Sequence, residues 1–320
     1  MCISLSDIEQ AQSRIQAVVR QTPVLSSIAE QSTGSTVYLF KCENLQRGGA
    51  FKFRGAYNKL ASLSPGEKAR GVVAFSSGNH ARAVATAANL LGTHAKIVMP
   101  HDAPKNKIEA TRALGAEIIL YDRYKQDREA IARDIVQREG RTLIPPFDDP
   151  LVMAGQGTIG LELHKQLGSF DLLVAPIGGG GLISGTATAL AALRPDVAVY
   201  GAEAEAANDT YLSLQKGERV EIPVPKTIAD GMQVTCPGRL TFPIIQRHVR
   251  EIVLVSEQEI IAAMKWVAEN IRQIVEPTAA VAAAAAKKLG ERFPGAKIVV
   301  ILSGGNIDLL QYCQFLYAAP

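Results

Sequence analysis

Short apolar runs alternate with longer amphipathic runs through the first half of the chain. The apolar runs predict strands at residues 71–75, 95–99 and 117–121. The amphipathic runs between and after them predict helices at residues 81–91, 105–114 and 127–139. Strands that alternate with helices are typical of a parallel sheet whose strands are joined by crossover helices.

The second half repeats this order. We expect strands at residues 171–175, 197–200 and 297–302, and helices at residues 182–193, 260–271 and 278–289. The segment 217–238 is polar and interrupted by Pro and Gly, so it predicts a loop or extended chain. The Pro-rich segment 145–150 reads as a connection between two lobes. The predicted fold is therefore two-lobed α/β, each lobe a mostly parallel sheet flanked by helices.

The N-terminus predicts a helix rather than a targeting segment. Ser6 with Glu9 three residues later forms a capping-box pattern. The segment carries neither a basic stretch nor an apolar core, so we expect no signal peptide.

Composition narrows the class of protein. The 320 residues are 47% hydrophobic and 20% charged, which excludes a disordered or collagenous protein. The net charge is only +3, and the basic and acidic residues are interspersed along the chain. We therefore expect neither a nucleic-acid-binding face nor a membrane-binding surface. The apolar run 279–286 is far shorter than the ~20 residues of a membrane span. The cysteines Cys2, Cys42, Cys236 and Cys313 form no C-x-x-C pair, which indicates free thiols and a cytoplasmic location.

Four successive glycines, Gly178, Gly179, Gly180 and Gly181, lie between a predicted strand and a predicted helix. Such a loop exposes consecutive backbone N–H groups at the positive end of the helix dipole, which suits a phosphate. The alternative is a tight turn that needs left-handed backbone, but one glycine would satisfy that need.

Two further loops follow predicted strands. Residues 76–80, Ser-Ser-Gly-Asn-His, suit a small carboxylate or form an ordinary helix cap. Residues 303–306, Ser-Gly-Gly-Asn, bring a hydroxyl to the sheet edge where open α/β folds bind ligands, or form a turn.

Two candidate sites have competing interpretations. Lys52 lies between Phe51 and Phe53, an apolar setting that favours a nucleophilic amine, although a solvated lysine is the common case. Glu203, the main-chain carbonyl of Ala207 and Asp209 suit a hard cation such as Mg²⁺, although the pattern alone favours a solvated acidic loop.

Residues 155–160 spell the dinucleotide-binding pattern G-x-G-x-x-G. The preceding segment is a poor strand broken by Pro150, and no acidic residue ends a second strand about 20 residues on. We therefore expect no nicotinamide cofactor here.

These motifs, in this order, resemble the fold-type II pyridoxal-phosphate enzymes, which share a tryptophan synthase β-like fold. The resemblance is to the serine/threonine dehydratase and serine racemase group, including the threo-3-hydroxyaspartate dehydratases, and runs from Thr22 to Asp308. The motifs that carry it are residues 41–46, 51–56, 76–80, 154–158, 178–181 and 303–306. A division of the chain follows, with residues 1–70 and 149–320 as a large cofactor-binding domain and 71–148 as a small mobile domain that takes the substrate carboxylate.

The resemblance implies roles for the cofactor-binding residues. Lys52 would form the internal aldimine and act as the base at Cα, with Phe51 under the cofactor ring. Asn79 would bond the ring hydroxyl and Ser303 would face the pyridine nitrogen. The cofactor phosphate would lie on Gly178, Gly179, Gly180 and Gly181.

It implies roles at the substrate and at a metal as well. The loop that takes the substrate α-carboxylate would consist of Ser76, Ser77, Asn79 and His80. Ser77 would also be the second acid/base, and Arg128 would pair with a second carboxylate. Glu203, Ala207 and Asp209 resemble the divalent-metal site, for Mg²⁺ or Mn²⁺, of serine racemases and hydroxyaspartate dehydratases.

The implied activity is an ammonia-lyase that dehydrates serine, threonine or threo-3-hydroxyaspartate, with serine racemisation from the same carbanion and a homodimeric assembly. Phe147 stands where mammalian serine racemases have Asn, and it is typical of threonine dehydratases. A dedicated serine racemase is the main alternative, and a non-catalytic protein that binds a phosphate ligand is the alternative from another class.

Overall fold

The computed structural model describes residues 3–27, 35–103 and 105–317. Within these residues the strands form a six-stranded sheet in the order β1-β2-β10-β7-β8-β9 and a four-stranded sheet in the order β5-β4-β3-β6. The strands, in chain order, are β1 (Val24–Ser26), β2 (Val37–Lys41), β3 (Val72–Phe75), β4 (Ala95–Pro100), β5 (Glu117–Tyr121), β6 (Thr142–Leu143), β7 (Leu172–Pro176), β8 (Ala198–Ala204), β9 (Val249–Val255) and β10 (Lys297–Ile301). All pairings are parallel except that of β1 with β2.

Helices flank both sheets. They are α1 (Leu5–Ile15), α2 (Lys52–Ala61), α3 (Pro65–Arg70), α4 (Asn79–Leu90), α5 (Lys105–Ala113), α6 (Arg128–Glu139), α7 (Pro150–Gln166), α8 (Gly181–Leu193), α9 (Asp209–Lys216), α10 (Thr241–His248), α11 (Glu257–Ile271), α12 (Pro277–Arg292) and α13 (Leu309–Tyr317). The two-lobed α/β prediction is confirmed. The segment 217–238 holds no α-helix or strand and contains one 3-10 turn, Asp230–Met232.

The helix at residues 150–166 was not predicted, because it has no polar face to reveal it. Every residue from Val152 to Leu163 is buried. Its glycines, from the G-x-G-x-x-G pattern, allow close packing against other helices. A Cβ atom at Gly155 would lie 2.6 Å from the Cα of Gly55, and one at Gly160 would lie 2.6 Å from the Cβ of Ala189. The pattern is therefore a packing device and not a phosphate loop.

The capping prediction at the N-terminus was wrong by two residues. Ser4 caps α1 and forms the capping box with Asp7, while Ser6 lies inside the helix. Aspartate at the third helical position returns the hydrogen bond to the Ser4 amide at 2.8 Å, a role that we had assigned to glutamate.

Helix α2 packs against the smaller sheet. Phe53, Tyr57 and Leu60 belong to the same apolar cluster as Val72 and Ile97 of that sheet. The helix also begins at the larger sheet, as described below, so it joins the two lobes. The domain boundaries at residues 71 and 148 stay a prediction.

A buried ionic cluster fixes the start of α2. The guanidinium of Arg54 binds the carboxylates of Glu43 (2.8 Å from Nε) and Glu162 (2.6 Å from Nη1). Lys41 completes the cluster at 2.5 Å from Glu162, which gives two positive and two negative groups. The cluster joins β2, α2 and α7, and each charge has an opposite partner, which is what a buried charge requires.

Cys42, Cys236 and Cys313 are unpaired thiols, as predicted, and Cys2 lies outside the described residues. Across residues 3–27, 35–103 and 105–317, no helix is long and apolar enough to cross a bilayer.

Candidate active site

The loops that follow β3, β7 and β10 lie at the carboxyl ends of parallel strands, where α/β sheets place their ligand sites. Backbone contacts tie the start of α2 to the loop after β10. The amide of Phe51 donates to the carbonyl of Ser303 at 3.0 Å, and Ala50 forms an isolated bridge with Gly304. The motifs at residues 51–56 and 303–306 therefore form one structural unit.

Lys52 is the first residue of α2 and is half-buried. Its Nζ donates to the carbonyl of Pro146 at 2.7 Å and lies 5.1 Å from the centre of the Phe51 ring. Burial lowers the pKa of this amine to about 8, against the opposing effect of the Glu276 charge. The lowered pKa increases the neutral fraction of the amine near neutral pH, and the neutral amine is the nucleophilic form. The common solvated interpretation does not apply to this residue.

Phe147 brings the tetraglycine loop close to the contact between Lys52 and Pro146. Phe147, which follows Pro146, packs its ring on the loop so closely that a Cβ atom at Gly179 would collide with the ring. A Cβ atom at Gly178 would lie 2.7 Å from the carbonyl of Gly231, and Gly180 has a φ of 88°. Space therefore excludes a side chain at more than one of these positions.

The amide groups of Gly178, Gly179, Gly180 and Gly181 donate to no other residue in the described part of the chain. They precede and begin α8, so the helix dipole adds positive potential at the loop. Consecutive unpaired donors at a helix N-terminus form a cradle that fits a phosphate group.

Ser303 lies two residues after the end of β10, and its side-chain hydroxyl is buried. The residue is 1% exposed, and its Oγ has no hydrogen-bond partner among the described residues. A buried hydroxyl without a partner is uncommon in folded proteins and calls for an explanation, and a bound ligand atom at the end of the sheet would provide one. The hydroxyl can donate to or accept from a ring nitrogen, which fits the expected position.

Asn79 begins α4 and meets the loop after β10. Its Nδ2 donates to Glu276 Oε1 at 2.6 Å, and its Oδ1 accepts from Asn306 Nδ2 at 2.7 Å. Sequence reasoning missed Glu276, a lone carboxylate just before the first residue of α12, because no motif marks it. Burial raises the pKa of Glu276 to about 8, with a further rise from the Asp230 charge.

The serine loop lies between β3 and α4. Ser76 Oγ accepts from the amide of Gly78 at 3.2 Å, and Ser77 is half-buried. His80 is buried, and its Nε2 lies 2.8 Å from the carbonyl of Ile144. Because a carbonyl only accepts, Nε2 carries the proton. Burial and the Lys52 charge lower the pKa of His80 to about 3, so the neutral ring has no second N–H to offer a carboxylate.

A family profile described as "Pyridoxal-phosphate dependent enzyme" matches residues 15–304. The chain belongs to this family. The Schizosaccharomyces pombe protein named serine racemase is 47% identical over 310 residues, which cover 97% of this chain and 96% of that protein. The Saccharomyces cerevisiae L-threo-3-hydroxyaspartate ammonia-lyase is 47% identical over 311 residues, which cover 97% and 95%. The structure of maize serine racemase superimposes with a TM-score of 0.93 at 38% identity and covers 99% of this chain and 98% of that one.

The residues described above fit the cofactor of this pyridoxal-phosphate dependent enzyme. The chain supplies a half-buried amine of lowered pKa at Lys52, a cradle of unpaired amides at the tetraglycine loop and an unpaired hydroxyl at Ser303. These are the groups that an aldehyde, a phosphate and a pyridine nitrogen require.

Arg128 is exposed at the start of α6. Its guanidinium lies 5.5 Å from the ring centre of Phe75, the last residue of β3 and the neighbour of Ser76. The structure therefore brings Arg128 beside the serine loop but gives it no ion pair with another described residue there.

The acidic site lies at the end of β8. The carboxylate of Glu203 accepts from the amides of Thr210 (3.2 Å) and Tyr211 (2.9 Å), at the start of α9. Asp209 is 1% exposed, and its Oδ2 has no partner among the described residues. Burial raises the pKa of Glu203 to about 8, with a further rise from Asp209, and burial raises the pKa of Asp209 to about 7.

No group of three or more His, Cys, Asp or Glu side chains that could hold a metal occurs in the described part of the chain. The carboxylates of Glu203 and Asp209 would therefore need main-chain carbonyls, such as that of the buried Ala207, and water to complete a coordination shell. Two buried carboxylates with one unpaired oxygen fit a hard cation, because its charge would offset theirs.

Proposed function

We propose that this pyridoxal-phosphate dependent enzyme is an ammonia-lyase for small β-hydroxy amino acids, with serine, threonine and threo-3-hydroxyaspartate as candidate substrates. The reaction removes water across Cα and Cβ, and the resulting enamine becomes an imine that hydrolyses to a 2-oxo acid and ammonia. Support comes from relatives named L-threo-3-hydroxyaspartate ammonia-lyase and serine racemase at 47% identity over nearly the whole chain.

The amine of Lys52 carries this proposal. Its pKa of about 8 makes it a base suited to removing the Cα proton near neutral pH. Bound pyridoxal phosphate supplies the ring that accepts the electron pair left by that proton. Phe51 would lie beneath the ring, and the tetraglycine amides would hold the phosphate.

Ser303 tunes the site toward elimination. A hydroxyl cannot hold a pyridine nitrogen protonated as a carboxylate does, so the ring withdraws electrons less strongly. Prompt loss of the β-hydroxyl or return of the proton is then favoured over reactions that need a long-lived carbanion.

The substrate α-carboxylate binds the loop of Ser76, Ser77, Asn79 and His80. Ser77 donates a proton on the face opposite Lys52, which permits racemisation as a second activity. His80 contributes its backbone amide rather than its ring, because the ring N–H is bonded to Ile144. Arg128 pairs with a second carboxylate when the substrate is 3-hydroxyaspartate.

Keto-acid release should be measured with L-Ser, D-Ser, L-Thr and each 3-hydroxyaspartate isomer. We expect at least one of these substrates to yield 2-oxo acid and ammonia in equal amounts. The matching test of Arg128 is Arg128→Met, which should lower activity on 3-hydroxyaspartate selectively, with Arg138→Met, farther along the same helix, as control.

A dedicated serine racemase is the second candidate, favoured by the similarity to the S. pombe and maize racemases. Chiral analysis of L-serine incubations separates the two candidates. Formation of D-serine faster than pyruvate would overturn the ammonia-lyase proposal.

We further propose that Glu203, Ala207 and Asp209 bind Mg²⁺ or Mn²⁺. A cation that binds the native state raises the melting temperature, because binding adds to folding stability. The melting temperature should rise with either cation relative to EDTA in the parent and not in Glu203→Ala. An equal melting temperature in all samples would contradict the site.

We also propose that the enzyme is a cytoplasmic homodimer and that its smaller lobe closes on the substrate and excludes water. Sedimentation of the cofactor-loaded enzyme tests the dimer, and a monomer at micromolar concentration would contradict it.

A further inference from the structure

Four groups from four separate parts of the chain form one hydrogen-bonded series close to Lys52. Asn306 Nδ2 donates both to the carbonyl of Gly48 (2.7 Å) and to Asn79 Oδ1 (2.7 Å). Asn79 Nδ2 then donates to Glu276 Oε1 (2.6 Å). We call this series, from Gly48 to Glu276, the amide relay.

The donor and acceptor roles in the amide relay are fixed along its whole length. The carbonyl of Gly48 can only accept, so the Asn306 amide must turn its NH₂ group toward Gly48. The second N–H of that NH₂ group faces Asn79, so Asn79 must accept this hydrogen bond with its Oδ1 atom. The NH₂ group of Asn79 is thereby turned toward Glu276, and one of its two N–H bonds is left over.

Glycines make room for the relay. A Cβ atom at Gly49 would collide with the Asn306 amide, and one at Gly304 would collide with the Glu276 carboxyl and lie 3.0 Å from Asn79 Nδ2. The carbonyl of Gly304 also accepts from the amide of Glu276 at 3.2 Å. Glycine at residues 49 and 304 is thus explained by the relay side chains that cross these two positions.

We infer that Asn306 and Glu276 are positioning residues that fix Asn79 as a hydrogen-bond donor toward the ring oxygen of the cofactor. This inference rests on the proposed position of Asn79 at that oxygen. A donor stabilises the negatively charged form of a ring oxygen, whereas a carbonyl oxygen in the same place would favour the neutral hydroxyl. The relay would therefore set the charge of the cofactor ring through the orientation of Asn79.

The test compares visible absorption spectra of the cofactor-loaded enzyme at one fixed pH. The form with a neutral ring hydroxyl absorbs at shorter wavelength than the charged form, so the ratio of the two bands reports the balance. Asn306→Asp removes both donors without changing the size of the side chain, and Asn306→Ala removes them without adding charge. Each variant should shift the ratio about five-fold toward the shorter-wavelength band, the value of one ordinary hydrogen bond.

Asn44→Asp is the matched control, because Asn44 is half-buried nearby but bonds Gln273 at 3.0 Å, outside the relay. It should leave the ratio unchanged. At the other end, Glu276→Gln keeps an accepting oxygen and should preserve the ratio, while Glu276→Leu should shift it. Thermal melting of each variant checks that it is folded.

An unchanged ratio in both Asn306 variants, with the cofactor bound, overturns the inference and leaves the proposed function intact. A shift of equal size in Asn44→Asp also overturns it, because added charge alone would then explain the result. A parent enzyme that shows no visible band with saturating cofactor would instead contradict the proposed function.

Discussion

Two buried polar regions lie close together along α2, and they differ in how their groups are paired. In the ionic cluster, Arg54 binds the carboxylates of Glu43 and Glu162, and no charge is left alone. Among the described residues of the active site, Lys52 Nζ donates only to the neutral carbonyl of Pro146, and the Ser303 hydroxyl has no partner. The first region satisfies its own chemistry, whereas the second leaves its chemistry for a ligand.

The pKa values follow the same division. Arg54 and Thr22 help to lower the pKa of Glu43 despite complete burial, because the charged form is well paired. Burial without an ion pair raises the pKa of Glu276 to about 8 and lowers that of Lys52 to about 8. Buried groups held in a reactive state are typical of functional sites, while paired ones stabilise the fold.

Replacing the reactive amine should have the largest effect. Lys52→Ala should lower activity by at least about a thousand-fold, because both the covalent link and the base are lost. Steady-state keto-acid release measures it, with Lys59→Ala on the same helix as control. Lys59 pairs with Asp149 at 2.6 Å, so its loss should leave kcat within about two-fold. Comparable activity in the two variants would remove the distinction drawn between these lysines.

Breaking the paired region should cost stability rather than chemistry. Arg54→Met leaves Glu43 and Glu162 with Lys41 alone, and loss of one partner of a buried ion pair costs about 3–5 kcal/mol. Urea unfolding measures the loss. Arg292→Met breaks an exposed pair with Glu251 and should cost less than about 1 kcal/mol. Equal losses in the two variants would show that burial does not govern the cost.

The pH dependence of stability should reveal the buried carboxyl of Glu276, which accepts a hydrogen bond from Asn79 but has no cationic partner among the described residues. Its folded pKa is about 8 and its ordinary value is 4.5, so the folded state holds a proton that the unfolded state releases. Its contribution to stability is present below about pH 4.5 and is lost as the pH rises through 8. The titration of Lys52 affects stability at higher pH. Its folded pKa is about 8 and its ordinary value is 10.5, so its contribution to stability grows as the pH rises between these two values.

Melting temperatures of the cofactor-free protein between pH 5 and pH 8 should therefore fall less steeply in Glu276→Gln than in the parent. Glu251→Gln is the control, because Arg292 lowers the pKa of Glu251 and its titration ends below that window. If melting temperature changed with pH in the same way in the parent and in Glu276→Gln, the pKa of Glu276 would not be raised in the folded protein.

The smallest expected change is in the stability of Ser303→Ala. The hydroxyl bonds no described residue, so its loss should alter the free energy of unfolding of the cofactor-free protein by about 0.5 kcal/mol or less. The same change should weaken cofactor binding, measured by equilibrium dialysis. Thr158→Ala offers the contrast, because Thr158 bonds Gly155 at 2.7 Å and lies against Arg54. A larger loss of stability from Ser303→Ala than from Thr158→Ala would refute the contrast.

The sequence predicted features that are local along the chain. The tetraglycine loop, the strand before it and the helix after it lie within about twenty residues, and the apolar neighbours of Lys52 are adjacent to it. The bond between Asn79 and Glu276 spans 197 residues, and that between Lys41 and Glu162 spans 121. Such partners become neighbours only when the sheets form. Asn306 and Arg54 lie in motifs that the sequence shows, but those motifs do not indicate their partners, and Glu276 and Glu162 lie in no motif.

The chemical identity of residue 52 is the claim that the rest depends on. Borohydride reduction of the cofactor-loaded enzyme, followed by peptide mass spectrometry, fixes the cofactor to whichever amine holds it. We predict the reduced cofactor on the peptide that contains Lys52 and on no other lysine. Its recovery on a different lysine, or its complete absence from the protein, would contradict the account.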